Sequence, residues 1–267
     1  MSAKTVVIIY LILLLCAFML KLPSNDRDWN ADQIILASAS FEGEMVHLQN
    51  VRNISYRTTS DFDIEYYDRS FNVSEIESMW FMIEHFGEFD GLAHALFSFG
   101  FSDGSFVAIS PEIRKENGEK FSVVKGMMRE FELMYVIADE EDVIKLRTNY
   151  RNDTVYLYPL DATQEFMQQV FVDMALKTDR LNDDPEFYNT VTNSCSMSLL
   201  KHVNEFYPAG VSVNAQVLLP GYSDAMLYEK GFILTNLSFE DARQKYMITE
   251  KAQKHGDLPG FSKAIRN

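Results

Sequence analysis

Residues 5–20 form an almost unbroken apolar run bounded by Lys4 and Lys21. At ~1.5 Å per residue, a helix over this run spans most of a bilayer's hydrocarbon core. Its distal end, Cys16-Ala17-Phe18-Met19-Leu20, lacks the paired small residues of a signal-peptide cleavage site. The pattern therefore favours an uncleaved N-terminal transmembrane helix over a cleavable signal. Residues 23–44 are more polar and read as a linker. Beyond them the alternation changes to period two, the mark of half-buried strands. Strands are expected over 45–56, 63–67, 78–86, 92–101, 105–113, 131–138 and 154–160. Residues 92–101 and 105–113 are joined by Ser102-Asp103-Gly104, a hairpin signal.

Helical spacing comes late. Phe166, Met167, Val170, Phe171 and Met174 make one stripe over 164–181. A second helix is expected over 194–206, with Ser194 as N-cap and Pro208 as the stop. A third, charged and peripheral, covers 239–254. The pattern is that of an α+β chain in which an antiparallel sheet packs on helices. The expected organisation is 1–22 anchor or signal segment, 23–44 linker, 45–235 main domain and 236–267 helical extension.

Charge narrows the function classes. The 267 residues carry a net charge of −15. That balance excludes a nucleic-acid partner, which needs Lys and Arg to neutralise phosphates. No metal-ligand motif and no glycine-rich phosphate loop occurs, so neither a metal nor a cofactor is expected.

The two cysteines are Cys16 and Cys195. Cys16 lies inside the apolar run, beyond reach of the folded domain, which leaves Cys195 as a lone thiol. Polar Thr192, Asn193 and Ser194 keep the chain non-helical up to that point. Cys195 therefore falls in the first helical turn, where free N–H groups and the positive end of the helix dipole converge. Such a place lowers a thiol pKa and supplies donors for an oxyanion. A small buried hydrophobe is the plainer reading of the same residue.

A thiol nucleophile needs a base. Of five histidines, His255 lies in a polar tail and His47 among polar neighbours. His202 is seven residues along the same helix, roughly 10 Å away, and reads as a surface or helix-end residue. His85 ends a strand and is a weaker rival. His94 sits in a strand between Ala93 and Ala95, which leave room for another element. Glu112 is the candidate third group. If residues 102–104 are a three-residue loop, Phe101 pairs with Ser105 and His94 lies opposite Glu112. If the loop has two residues, Ile113 faces His94 instead.

The ordered series 92-LAHALFSFGF-101, 108-AISPEIR-114, Arg129, 132-ELMY-135, 138-ADE-140, 185-PEFYN-189, 193-NSC-195 and 219-LPGY-222 resembles the Lnb N-terminal periplasmic domain family, which is named after a bacterial lipoprotein N-acyltransferase. The resemblance runs over about residues 51–233. It implies a circularly permuted papain-like thiol fold in which the histidine precedes the cysteine. Cys195 would then be the nucleophile, His94 the base and Glu112 the orienting group. Asn193 and Ser194, at the helix start, would border the substrate. The family's usual Asn-Asn-Cys-Thr stands here as Asn193-Ser194-Cys195-Ser196. The larger members carry further membrane helices and this chain shows none after residue 22, which leaves transfer and hydrolysis both open. The resemblance implies a lipid, lipoprotein or cell-envelope acyl or amide substrate. It also implies a single-pass position in a bacterial inner membrane, with the N-terminal helix in the bilayer and the domain in the periplasm. From another class, a non-catalytic envelope-binding module that keeps the fold is the alternative.

Overall fold

The computed structural model describes residues 2–267, with residues 11–19 described by their backbone alone. Ten strands follow the N-terminal helix α1 (Ala3–Leu20). They are β1 (Ser38–Glu42), β2 (Met45–Arg52), β3 (Ser55–Tyr56), β4 (Phe62–Asp63), β5 (Tyr66–Asn72), β6 (Ile76–His85), β7 (Ala93–Phe101), β8 (Phe106–Arg114), β9 (Glu132–Ala138) and β10 (Thr154–Pro159). Short α2 (Val123–Met127) precedes β9, and α3 (Glu140–Lys145) follows it. A π-helix, Leu146–Arg151, continues α3. The remaining helices are α4 (Gln164–Asp183), α5 (Cys195–Phe206), α6 (Ala215–Leu218), α7 (Ser223–Glu229), α8 (Phe239–Tyr246), α9 (Thr249–His255) and α10 (Phe261–Ala264).

No helix among the described residues is long and apolar enough to cross a membrane. Cys16 and the distal half of the apolar run lie outside the described side chains.

The main sheet runs β1-β2-β9-β8-β7-β6-β10, with β5 also on β2. It is mixed rather than purely antiparallel, because β2 and β9 touch in parallel at Arg52 and Ala138. Alternation could predict the strands but not this one long-range contact, which arises where β9 inserts between β2 and β8. Residues 23–44 are tied into the fold. They supply β1, bury Trp29, and place Asn25 on the end of α4 through Leu181 O at 2.8 Å.

The two faces of the sheet carry separate cores, as period-two side chains require. Ala93, Ala95, Phe97 and Phe99 of β7 pack with Phe171 of α4 and Leu199 of α5. Leu96, between them, packs with Met82, Val143 and Ile144 beneath α3, in a cluster that also holds Ile248 and Ala252 of α8–α9 and Phe261 of α10. The predicted third helix is thus two helices, broken at Met247 where the chain bridges to Tyr156 of β10.

Candidate active site

The β7–β8 hairpin sets the geometry. Phe101 N–H donates to Ser105 O at 3.0 Å, and Gly104 N–H to Phe101 O at 2.8 Å. Gly104 takes φ +79°, the left-handed conformation of a three-residue loop. The ladder then runs from Gly100↔Phe106 to Phe97↔Ile109 and stops. Continued in the same register, it would set Ala95 against Pro111 and His94 against Glu112. Pro111 has no N–H to offer, so the ladder ends there. On the other side, β7 stays paired with β6 through Glu84↔His94 and His85↔Ala93.

That ending frees a donor. Odd-numbered residues of β7 direct their N–H groups toward β8, as Phe101 does. The N–H of Ala95 points into the unpaired stretch, and this amide is among the groups that favour the Cys195 thiolate. Cys195 opens α5, where Ser194 caps the helix by accepting from Met197 N–H at 3.4 Å. The free thiol is buried, at 5% exposure. Burial raises its pKa to about 11, against the N–H groups of Ala95, Ser196 and Cys195 itself, which favour the thiolate. The expectation that a helix start lowers this pKa is therefore reversed. Desolvation costs the charged form more than three N–H dipoles return.

His94 faces the opposite layer. Its Nε2 lies 2.7 Å from Ser110 Oγ, and Ser110 Oγ donates to Glu112 Oε1 at 2.9 Å. Burial alone would raise the Glu112 carboxyl. Arg147, and beyond it His94 and Arg52, hold it far below the usual carboxylate range. An ionised Glu112 can only accept, so Ser110 spends its one proton there and must accept from His94 Nε2–H. The proton thus sits on Nε2, and Nδ1 is left with a free lone pair. The imidazole is bonded to Ser110 here rather than to the thiol. The unpaired stretch of β7 lies between the two side chains. Burial, then the Arg147 charge, push the His94 pKa down to about 4, against Glu112 and Glu84. The resting pair is a neutral thiol and a neutral imidazole.

Arg147 organises the carboxylates. From the π-helix it donates Nε to Glu84 Oε2 at 2.6 Å, Nη2 to Glu112 Oε1 at 3.0 Å and Nη1 to Val143 O at 2.7 Å. Arg151, also on the π-helix, reaches Glu84 Oε1 at 3.2 Å. π-helical turns are rare and concentrate at functional sites. Sequence reasoning missed Glu84, Ser110 and Arg147. A glutamate inside the apolar run of β6 and a serine between Ile109 and Pro111 were the signals that pointed to two of them.

The other expected residues are placed as follows. Asn193 is committed to its own turn: Nδ2 donates to Phe187 O at 3.0 Å and to Glu186 at 3.3 Å, and Oδ1 accepts from Lys201 at 2.8 Å. His202, expected at a surface or helix end, is instead buried. Its Nδ1 meets Asp173 at 2.6 Å and its Nε2 meets Tyr135 Oη at 2.8 Å, which ties α5 to both α4 and β9. Beside Ser196, between α4, α5 and α6–α7, a cavity of about 540 Å3 is walled by Phe81, Phe97, Leu199, Val203 and Met226. That is within the size range of small-molecule sites.

The fold and cluster define an α+β domain that holds a helix-start thiol against a strand bearing a histidine–serine–carboxylate relay. The chain belongs to the Lnb N-terminal periplasmic domain family, whose sequence model matches residues 63–221, more than half of its length. The match spans His94, Glu112 and Cys195 together. No curated protein and no solved structure matches the chain.

Proposed function

We propose that this protein is a membrane-anchored thiol acyltransferase or hydrolase of the bacterial envelope, with a circularly permuted papain-like arrangement. The observation that carries this reading is the broken ladder at Pro111, which leaves the Ala95 amide free to favour the Cys195 thiolate on the same strand that bears His94. In the reacting complex the His94 ring and the Cys195 thiol come together across the unpaired stretch of β7, and Cys195 Sγ attacks an ester or amide carbonyl as its proton passes to His94 Nδ1. The tetrahedral intermediate collapses, and the departing alcohol or amine takes that proton. The acyl group stays on sulfur as a thioester. Water or an acceptor amine then attacks, giving a proton to Nδ1, and the thiol is restored. Glu112 acts on His94 through Ser110, which fixes the tautomer and stabilises the imidazolium as it forms. Asn193 and Ser194 border the carbonyl position at the helix start. The apolar cavity beside Ser196 suits the hydrocarbon part of a lipid or lipoprotein substrate. In this reading α1 is a single-pass inner-membrane helix with the domain in the periplasm, and tethering keeps the site near its substrate.

The buried thiol, with its pKa raised to about 11, favours a second reading. There the domain binds an envelope ligand in the same cavity without chemistry. Incubation with phospholipids and diacylated lipopeptides, followed by hydroxylamine treatment and intact mass measurement, separates the two. A hydroxylamine-labile acyl adduct supports the enzyme. No adduct with any donor supports the binding module.

A further inference from the structure

The end of the sheet that holds Cys195 is ringed by exposed apolar side chains. Phe89 projects from the β6–β7 loop, Phe121, Val124, Met127 and Met128 from α2 and its flanks, and Val191 from the turn before α5. They belong to one rim. Phe121 packs edge-on against Phe86, with ring centres 6.0 Å apart. Thr190 donates to Val123 O at 2.9 Å. Gly126 is pressed so close to Thr190 and Tyr188 that a Cβ there would sit 2.4 Å from Thr190 Oγ1. Phe89 and the half-exposed Tyr222 both approach Gly91. Single exposed apolar residues need no explanation, whereas a contiguous set marks a surface that something covers.

Two observations say what covers it. First, α1 leaves the domain at the same place. Lys21 pairs with Glu130 at 3.6 Å and lies over the Phe187 ring, and Ser24 N–H donates to Glu132. Val6, Val7, Ile8, Ile9 and Tyr10 of α1 are exposed, so this apolar helix is not covered by the domain it leaves. Second, in a chain of net charge −15, the α2 segment from Lys120 to Met128 carries exposed Lys120 and Lys125 among its apolar side chains and no acidic residue, with half-buried Lys21 at its edge, while Glu88 and Asp90 beside Phe89 mark the acidic side of the rim. Apolar side chains with lysines among them are the composition of a surface that rests in the headgroup region of a bilayer.

We infer that this rim is a second membrane contact, which seats the mouth of the Cys195 site on the bilayer surface beside α1. The rim lies on the path from lipid to cavity: Tyr222 is on it, and Ser223, the next residue, lines the cavity wall. A substrate would then pass laterally from the bilayer to Cys195 without crossing water. That last consequence rests on the thiol-enzyme reading. The contact itself rests only on α1 lying in the bilayer, not on the thiol chemistry.

The test uses the full chain in phosphatidylethanolamine–phosphatidylglycerol vesicles, with tryptophan placed singly by Val124→Trp, Met127→Trp and, as control, Ser102→Trp. Ser102 is at the tip of the β7–β8 hairpin, about 30 Å from the rim at ~3.4 Å per residue. The signal of the unmodified chain, from Trp29 and Trp80, is subtracted. Lipids brominated near the headgroup should quench the introduced tryptophan and shift its emission to the blue in Val124→Trp and Met127→Trp, and leave Ser102→Trp unchanged. Equal quenching at all three positions, or none at Val124 and Met127, overturns the inference, and the rim is then left to a protein partner. Far-UV circular dichroism verifies folding, with Phe121→Trp as the substitute where a variant fails. Repeating the measurement on Cys195→Ala protein separates the two claims, because quenching does not depend on the thiol. A paired readout uses Val124→Asp/Met127→Asp. It should slow acylation from vesicle-borne donors about tenfold and leave acylation by a short soluble thioester unchanged, since interfacial affinity follows the apolar area buried.

Discussion

Replacing Arg147 by methionine tests the electrostatic logic of the site. The guanidinium is almost wholly buried and is the main counter-charge for two buried carboxylates. Methionine keeps much of the side-chain volume and removes the charge. Glu84 keeps Arg151, a partly exposed partner. Glu112 keeps Ser110 and the weaker pull of Arg52. Removing one partner of a buried ion pair typically costs 3–5 kcal/mol, and the partners that remain put this case near the lower end, at about 3 kcal/mol. The loss should depend on pH. In the wild type, Arg147 keeps the Glu112 pKa depressed, so its stabilising share is present at neutral pH and lost as pH falls. In the variant, burial raises the carboxyl pKa, and protonation relieves the penalty on acidification. The gap between the two proteins should therefore narrow from pH 7 to pH 5. Because Arg147 also depresses His94, the imidazole should titrate above its wild-type value of about 4. Urea unfolding at the two pH values gives the first quantity, and histidine 13Cε1 chemical shifts give the second. A loss below about 1 kcal/mol, or a gap that does not change with pH, would refute the reasoning.

Other predictions follow the same groups. The His94 pKa falls from 6.5 unfolded to about 4 folded, so its stabilising share is complete above 6.5 and lost as pH falls through 4. That share is up to about 3 kcal/mol, and flat stability between pH 6.5 and 4 in Arg147-intact protein would contradict it. The raised Cys195 pKa predicts that iodoacetamide reacts with a midpoint above the ordinary thiol value, near 11; a midpoint below 8.5 would show that burial does not control this thiol. His202→Leu leaves Asp173 and Tyr135 without their shared partner and should cost about 1–3 kcal/mol in thermal or urea unfolding. Val203→Phe, which narrows the cavity, should slow acylation by long-chain donors and spare short ones; equal slowing of both would remove the cavity from substrate binding.

The hairpin was legible in the sequence, because Gly104 at a loop end and alternation on both arms are local signals, but its register stayed open between two loop lengths until the Phe101–Ser105 bond chose the three-residue loop. Also legible were α4 and the Ser194 cap, which depend on spacing and one side chain. Three things were not legible. The parallel β2–β9 contact joins residues 86 positions apart, beyond the reach of periodicity. The π-helix has no hydrophobic period to announce it, so Arg147 and its role stayed hidden. His202 looked peripheral because its partners come from α4 and β9, which only the tertiary fold brings together. The Cys195 pKa had the opposite sign to expectation for a related reason: the helix start is a local feature, and the burial that outweighs it is not.

The thiol's role is tested most directly by locating the acyl group. Wild-type protein, Cys195→Ala and His94→Ala are incubated with a diacylated lipopeptide and a phospholipid, and the digested chains are read by tandem mass spectrometry. Cys195→Ala removes a small buried side chain and should cost no more than about 1–2 kcal/mol, so it stays folded for the comparison. The account predicts an acyl group on Cys195 in the wild type, none in Cys195→Ala, and a strongly reduced yield in His94→Ala. An acyl group that persists in Cys195→Ala, or wild-type protein that carries none from either donor, would contradict it.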